Sequence, residues 1–211
     1  MRVKTVDRRL AIIEVAIQVF REVGFERATM AMISRHLGGS KGTLYGYFKS
    51  KEELFETAMK AAVECPGDQI MGLLELDSVE LRPILERFAH AYLSFILGKD
   101  VLAIVRTGIA DGAGSSLGPH LFENGPGRAI TKLTAFFSKE FARGRLSGQS
   151  PLVAALHFKG LIEAGFLEEA LYGAKPEIEK RLAVGAAVDV FLRSYASDVR
   201  IRSHRNDTAD V

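Results

Sequence analysis

The stretch SKGTLYGYF, residues 40–48, concentrates side chains that suit a nucleic acid. The methyl and hydroxyl groups of Thr43 can contact base edges in a major groove, which is wide enough to admit an α-helix. Lys41, Tyr45 and Tyr47 can reach phosphate oxygens, and such contacts fix the register of a protein on DNA without reading its sequence. The residue types in this stretch therefore indicate a surface for double-stranded DNA.

The same stretch contains Gly42 and Gly46, although glycine lowers helix stability by about 1 kcal/mol relative to alanine. Glycine also removes bulk, so that a helix backbone can approach a duplex closely. The alternative interpretation of the stretch is a solvated helix face on which the tyrosines pack locally.

A second stretch has the spacing of a catalytic nucleophile. Gly114-Ser115-Ser116-Leu117-Gly118 fits G-x-S-x-G, and His120 and His157 could serve as bases. That motif requires a strand before the serine and a helix directly after it, whereas the preceding segment is helical in pattern and Pro119 follows. We therefore expect no enzyme and keep a hydrolase as the less favoured alternative.

Composition excludes several other classes of protein. The single Cys65 cannot form an internal disulfide or a cysteine-based metal cluster. With 47% apolar and 26% charged residues the chain is typical of soluble globular proteins, and no uncharged apolar run approaches the length of a membrane span. We expect a cytoplasmic protein with no cofactor, no metal and no membrane partner.

Apolar residues recur at helical spacing almost throughout, and no convincing strand alternation is present, so the predicted fold class is all-α. Gly24 is placed to end the first helix, and Thr29 and Ser40 are placed to cap the next two. Ser50 and Glu53 form a capping box that opens a fourth helix. The first three predicted helices are about 7–23, 30–37 and 41–48.

Prolines and glycines predict the later boundaries. The fourth helix is expected to end before Pro66, and breaks are expected at residues 112–118 and at Asn124-Gly125-Pro126. The tail after residue 198 is short and polar, so we expect it to be frayed. The later predicted helices are about 80–98, 100–111, 127–143, 151–172 and 176–197.

Charge is distributed unevenly along the chain. Residues 1–51 contain ten basic and four acidic side chains, a net charge of +6, so the remainder carries −4 within the overall +2. Arg2, Lys4, Arg8 and Arg9 form either an arm that reaches a DNA backbone or minor groove, or a disordered basic terminus. A basic first quarter favours a polyanionic partner at that end of the protein.

A set of residues between Gly24 and Leu54 follows a recognisable pattern. Its members are Gly24-Phe25, Ala28-Thr29, Ile33, Gly38, the run from Ser40 to Tyr45, Tyr47-Phe48 and the run from Lys51 to Leu54. Together they resemble the N-terminal DNA-binding domain of TetR-family transcriptional regulators. The segments AIVRTGIADG and LFENGPGRAI more weakly resemble the C-terminal domain of the AefR-like branch of that family.

The resemblance implies a three-helix helix-turn-helix domain at residues 1–51. A larger helical domain for ligand binding and dimerisation would follow at 52–198, with a flexible tail at 199–211. It implies a sequence-specific DNA-binding regulator, expected to be a repressor that a small-molecule effector releases from operator DNA. A helical adaptor that binds a protein partner is the alternative. The expected DNA-binding residues are Thr29, Lys41, Gly42, Thr43, Tyr45, Tyr47 and Lys51.

The sequence departs from the family pattern at four positions. Ser34 and Leu37 stand where the family usually has alanines, and Gly39 where it usually has a valine that packs beneath the turn. Gly46 replaces a larger residue, often histidine, that commonly contributes to contacts. We expect the operator preference to be unusual at Gly39 and Gly46.

In the second part of the chain, aromatic residues at helical spacing are usually core, but the resemblance implies a small-molecule cavity that some of them could line. The apolar residues of helices 151–172 and 176–197 exceed what one core easily hides, which predicts a two-fold dimer interface there. The candidate pocket residues are Phe88, Tyr92, Phe95, Phe136 and Phe158.

Overall fold

The structure is a computed structural model that describes residues 2–75, 80–112 and 117–197. These residues form α-helices without a strand, apart from an isolated β-bridge between Leu146 and Ala196, so the predicted all-α class is confirmed. The helices are α1 (Arg2–Arg27), α2 (Met30–His36), α3 (Lys41–Tyr47), α4 (Lys51–Met59), α5 (Cys65–Gly72), α6 (Leu81–Ile96), α7 (Lys99–Gly112), α8 (Leu117–Phe122), α9 (Arg128–Ala142), α10 (Pro151–Glu163), α11 (Leu167–Tyr172) and α12 (Lys180–Tyr195).

Side-chain caps begin the short helices of the N-terminal region, as predicted. The Thr29 hydroxyl accepts a hydrogen bond from the Met32 amide at 3.2 Å, and the Ser40 hydroxyl accepts one from the Thr43 amide at 3.1 Å. Ser50 caps α4 in the same way. Each cap satisfies an amide that has no partner within its helix, which fixes where the helix starts.

Glycines with positive φ interrupt two helices. Gly24 has φ 78° and breaks the helical geometry near the end of α1, where a break was predicted. Gly165, also at φ 78°, lies between α10 and α11. The prediction of one continuous helix over 151–172 is therefore wrong, because the backbone leaves the helical region at Ala164 and turns at Gly165.

Two predicted breaks at prolines are also wrong. The chain continues from α4 through a π-helical turn, Lys60–Glu64, into α5, which contains Pro66. Another π-helical turn, Glu123–Gly127, contains Pro126 and joins α8 to α9. Proline lacks an amide hydrogen and clashes with the carbonyl one turn before it in a regular α-helix, and the wider π turn relieves that conflict.

The first compact unit comprises Met1–Gln69 and Phe95–Gly125. Its core is built where α1 packs on α2, α4 and α7. Phe20, Phe25 and Phe55 pack together there, with Phe20 and Phe55 edge-to-face at 5.0 Å between ring centroids. Helix α2 is thus anchored on the long first helix, and α3 packs on α2.

The second compact unit comprises Ile70–Ser94 and Pro126–Val211. Helix α10 packs on both α9 and α12 around an aromatic core that includes Phe137, Phe158 and Phe191, none of which is exposed. The functional boundary at residue 51 stays a prediction, and the predicted tail at 199–211 lies outside the described residues.

Within the described part of the chain, no single helix is both long enough and apolar enough to cross a membrane. The consecutive helices α6 and α7 reach the length and apolar composition of a membrane span only when they are taken together.

Candidate nucleic-acid interface

Buried side chains hold α2 and α3 to the core of the first unit and so decide which faces stay outside. Ile33 on α2 and Leu44 on α3 are fully buried, as is Phe48 directly after α3. The hydroxyl of Ser40 accepts the Thr43 amide and lies 2.9 Å from the Thr43 hydroxyl, which fixes the start of α3. Anchors at both ends fix the orientation of this seven-residue helix.

The outer face of α3 carries most of the predicted DNA-binding residues. Lys41, Gly42, Thr43 and Tyr45 are all exposed, with Tyr45 at 46%. The Lys41 ammonium lies 5.8 Å from the Tyr45 ring centroid, so a positive charge and a phenol sit together on the helix surface. This face offers a hydroxyl, a cation and a phenol to a major groove.

Two further predicted contacts combine exposure with a structural role. Thr29 is exposed, but its hydroxyl already accepts the Met32 amide as the cap of α2. Tyr47 is half-buried and its body packs against the core of the first unit. Their DNA contacts stay predictions.

Lys51 points its ammonium at the end of α1. Its Nζ donates to the Phe25 carbonyl at 2.8 Å and lies 3.4 Å from the Glu26 carbonyl. The same Nζ lies 4.1 Å from the Phe25 ring centroid. This contact ties α4 to α1, a role that the sequence pattern did not indicate, and the predicted phosphate contact of Lys51 stays a prediction.

The turn between α2 and α3 is closed by Ser34, one of the departures from the family pattern. Ser34 is buried, its hydroxyl donates to the Gly39 carbonyl at 2.9 Å, and its own carbonyl accepts the Gly39 amide at 3.3 Å. Leu37 is half-buried and packs against the core of the first unit, while Gly38 takes φ 65°. A serine four residues before the glycine pair Gly38-Gly39 was the available signal for this closure.

The five predicted pocket residues do not lie in one unit. Phe88, Tyr92, Phe136 and Phe158 are buried in the second unit, where Phe88 stacks on Tyr92 at 5.5 Å between centroids. Phe95 belongs to the first unit, where it packs against the core. The lining of an effector pocket by these residues stays a prediction.

A polar cluster that sequence patterns did not reveal lies beside these aromatic rings. The Tyr92 hydroxyl donates to one carboxylate oxygen of Glu163 at 2.7 Å, and the Lys159 ammonium donates to the other at 2.7 Å. Burial and the neighbouring Glu163 carboxylate raise the pKa of Tyr92 well above its ordinary value. The cluster joins α6 to α10 inside the second unit.

The first unit also contains a small, mostly apolar cleft between α1, α4 and α7, which the sequence did not predict. Its lining includes Phe20, Phe55 and Ile104, and the Arg21–Asp100 ion pair, at 2.8 Å, is part of it. The pair is about 40% exposed on each side, so it belongs to the solvated edge of the cleft.

Helices α10 and α12 expose apolar side chains although they pack on each other. Leu152 and Leu156 on α10 are 49% and 45% exposed, and Leu182 and Val190 on α12 are 64% and 48% exposed. These residues recur one or two turns apart, so each helix carries an outward apolar stripe beside its buried face.

Comparison with known proteins now adds to this geometry. The sequence model of the bacterial regulatory proteins of the TetR family matches residues 12–58, which include α2 and α3. The model of the C-terminal domain of AefR-like transcriptional repressors matches residues 83–197, more than half of the chain. The chain belongs to the TetR family. It is a DNA-binding transcriptional regulator, and the AefR-like resemblance of its C-terminal part is confirmed.

Individual relatives agree with this assignment. The chain is 28% identical to the HTH-type transcriptional regulator BetI of Yersinia pestis (strain Pestoides F) over 79% of this chain and 82% of that protein. It is 38% identical to the uncharacterized HTH-type transcriptional regulator YhgD of Bacillus subtilis (strain 168), over 25% of this chain and 27% of that protein. The solved structure of the flavonoid-responsive regulator FrrA is 29% identical, with a TM-score of 0.70, over 90% of this chain and 97% of that one.

Family membership also bears on the hydrolase alternative, since the family and its relatives are transcriptional regulators. The serines of Gly114-Ser115-Ser116-Leu117-Gly118 lie outside the described residues. The described element that precedes them is the helix α7 rather than the strand that the nucleophile motif requires.

Proposed function

We propose that this TetR-family regulator is a homodimeric repressor whose α3 helices enter two major grooves of a pseudo-palindromic operator. The observation that carries the proposal is the exposed polar face of α3, which buried Leu44 and Phe48 hold outward. A two-fold protein matches a two-fold operator, with half-sites about one helical turn apart. The residues proposed to contact DNA are Thr29, Lys41, Gly42, Thr43, Tyr45, Tyr47 and Lys51.

The apolar stripes of α10 and α12 support the dimer. Single exposed leucines are common on protein surfaces and need no explanation. Apolar stripes on two adjacent helices form a larger apolar patch, which a second copy of the chain would remove from water. Under two-fold symmetry the same stripes face each other, so one patch serves both subunits and forms a four-helix interface.

A small-molecule effector is proposed to release the operator by binding the C-terminal domain. The ligand must bind the DNA-free conformation more tightly than the DNA-bound one, since equal affinity would shift no population. FrrA, 29% identical, is described as flavonoid-responsive, so flavonoids form the first panel of compounds to test. A regulator of bacterial genes acts in the cytoplasm, and we place this protein there.

The test is binding of the purified protein to the DNA upstream of its own gene, measured by fluorescence anisotropy over a range of salt. Wild-type affinity should fall steeply with added salt as phosphate contacts release counterions. Tyr45→Ala should weaken binding about tenfold, as expected for a lost charge-assisted contact. Tyr172→Ala is the matched control, because Tyr172 is 84% exposed and lies on α11.

Equal affinities of wild type, Tyr45→Ala and Tyr172→Ala would show that the assigned face of α3 is wrong. Absence of salt-dependent binding to any fragment would instead favour the protein-binding adaptor.

A further inference from the structure

Helix α1 carries an arginine to the turn between α2 and α3. A Cβ atom added to Gly39 would lie 2.8 Å from Nη2 of Arg8, closer than real side-chain contacts allow. The guanidinium of Arg8 thus occupies the space that a side chain at position 39 would need. A side chain at position 39, such as the valine typical of the family, would displace the flexible end of the Arg8 side chain from this place, so Gly39 and Arg8 fit together as a pair.

Arg8 has no anionic partner within the described part of the protein. It forms no hydrogen bond or ion pair there, although its side chain is half-buried. A guanidinium carries five N–H donors in a planar fork that matches an oxyanion, and each unpaired donor costs more as burial increases. The half-buried Arg8 therefore remains available to an anion from outside the chain.

The neighbouring Arg9 is engaged differently. Its guanidinium carbon lies 5.0 Å from the centroid of the Phe48 ring, at the other end of α3. This contact holds α1 against the fully buried residue that ends α3. Arg9 thus stacks on a ring, whereas Arg8 sits against backbone at the turn.

The position of Arg8 selects the kind of anion. Gly39 immediately precedes Ser40, which caps α3, and Lys41 and Thr43 follow on the face proposed to meet DNA. A duplex that approaches this surface presents its phosphates, which are oxyanions. Positively charged side chains contact such phosphates and thereby set the orientation and register of a protein on DNA.

We propose that Arg8 is a phosphate-contacting residue of the DNA interface and that Gly39 leaves the space at the turn in which its guanidinium lies. This inference rests on the proposed function of α3 as the groove-binding helix. It also explains the departure from the family pattern at position 39, because the Arg8 guanidinium lies in the space that the side chain of a valine would take.

The test is a double-mutant cycle on operator affinity, measured by fluorescence anisotropy at several salt concentrations. Arg8→Ala should weaken binding about tenfold and reduce the slope of log affinity against log salt by about 1. Gly39→Ala should weaken binding in the same direction by displacing the guanidinium. Combined with Arg8→Ala, it should cause no further loss, because the two residues act as one unit.

Two controls isolate the contact. Arg87→Ala removes an exposed positive charge on α6 and should leave both affinity and salt slope near wild type. Arg8→Lys keeps the charge but loses the planar fork, and should retain the salt slope while losing part of the affinity. Thermal unfolding of each variant confirms that the effects concern binding rather than folding.

An unchanged salt slope in Arg8→Ala would overturn this inference, and so would affinity losses that simply add in the double variant. The proposed function would still stand in either case if the operator affinity of the wild type falls steeply with added salt. Failure of the wild-type protein to bind any upstream DNA would overturn both.

Discussion

At the scale of single residues, Lys51 shows how a side chain of a proposed binding surface can also connect two helices. Its Nζ donates to the Phe25 carbonyl and lies over the Phe25 ring, so the cation is held at the end of α1. Lysine placed at the C-terminal end of a helix is favoured by the carbonyl groups that lack partners there. Loss of DNA affinity in a Lys51 variant would therefore combine a lost phosphate contact with a displaced α4.

Tyr92 provides a prediction at the same scale. Its pKa lies well above the ordinary value of 10.0 because burial and Glu163 disfavour the phenolate. In the unfolded chain tyrosine ionises near pH 10, whereas the folded protein keeps Tyr92 neutral. The contribution to stability is therefore fully present below about pH 10 and is lost as the pH rises from there towards the folded-state pKa.

The measurement is the free energy of unfolding in urea at a series of pH values. Tyr92→Phe should lower that free energy by about 1–2 kcal/mol at neutral pH, through loss of the hydrogen bond to Glu163, and should show a shallower decline above pH 10. Tyr172→Phe, at an exposed position, is the control for removing a phenol. Parallel declines for wild type and Tyr92→Phe would show that Tyr92 does not titrate as its surroundings require.

At the scale of elements, α3 contains glycines that the folded chain does not need. A Cβ added to Gly46 would meet nothing within 4 Å, and one added to Gly42 would make only an ordinary contact, 3.8 Å from the Ser40 hydroxyl. Neither glycine has the positive φ that excludes other residues. We therefore predict that the reason for their presence lies outside the chain, in the duplex proposed to approach the exposed face of α3.

Replacing Gly46 with alanine tests this explanation. Gly46→Ala should raise the free energy of unfolding by up to about 1 kcal/mol, since alanine loses less backbone entropy in a helix. It should also weaken operator binding, because the added methyl group would lie on the surface that we propose approaches the duplex. The two measurements are chemical denaturation and fluorescence anisotropy on the same preparation.

Gly72→Ala serves as its control, since Gly72 lies in α5 with open space around an added Cβ. This variant should leave operator affinity unchanged. Stronger or equal operator binding by Gly46→Ala would show that close approach of the α3 backbone is not the reason for the glycine.

At the scale of the whole molecule, the proposed two-fold assembly would turn one short helix into an operator-binding protein. A single α3 of seven residues contacts few base pairs, whereas two copies at fixed spacing read two half-sites. The exposed apolar residues of α10 and α12 are the surface that we propose for that assembly. Affinity for the operator and the state of association should therefore change together.

Leu156→Glu tests this dependence. A charge placed in a buried apolar interface is costly, so the variant should shift from dimer to monomer in analytical ultracentrifugation and lose most of its operator affinity. Ile109→Glu is the matched control, because Ile109 is 65% exposed but lies on α7. A dimeric Leu156→Glu would place the subunit interface elsewhere.

Much of the N-terminal region could be predicted because its signals are local. Thr29, Ser40 and Ser50 cap the helices that follow them, and Gly24 breaks α1. Caps and left-handed glycines depend on hydrogen bonds and steric limits within a few residues, so the sequence carries them directly. The exposed face of α3 followed from the same periodicity that buried Leu44.

What the sequence by itself determined is therefore the all-α class and most of the residues on the outer face of α3, since both depend on short-range periodicity, while the helix-turn-helix was implied by the family resemblance. Only the tertiary structure decided that π turns carry the chain past Pro66 and Pro126 and that Lys51 binds the end of α1. It also decided that Arg8 lies against Gly39. These features join residues distant in sequence or depend on backbone hydrogen bonds that propensity does not specify, so they exist only once the helices have packed.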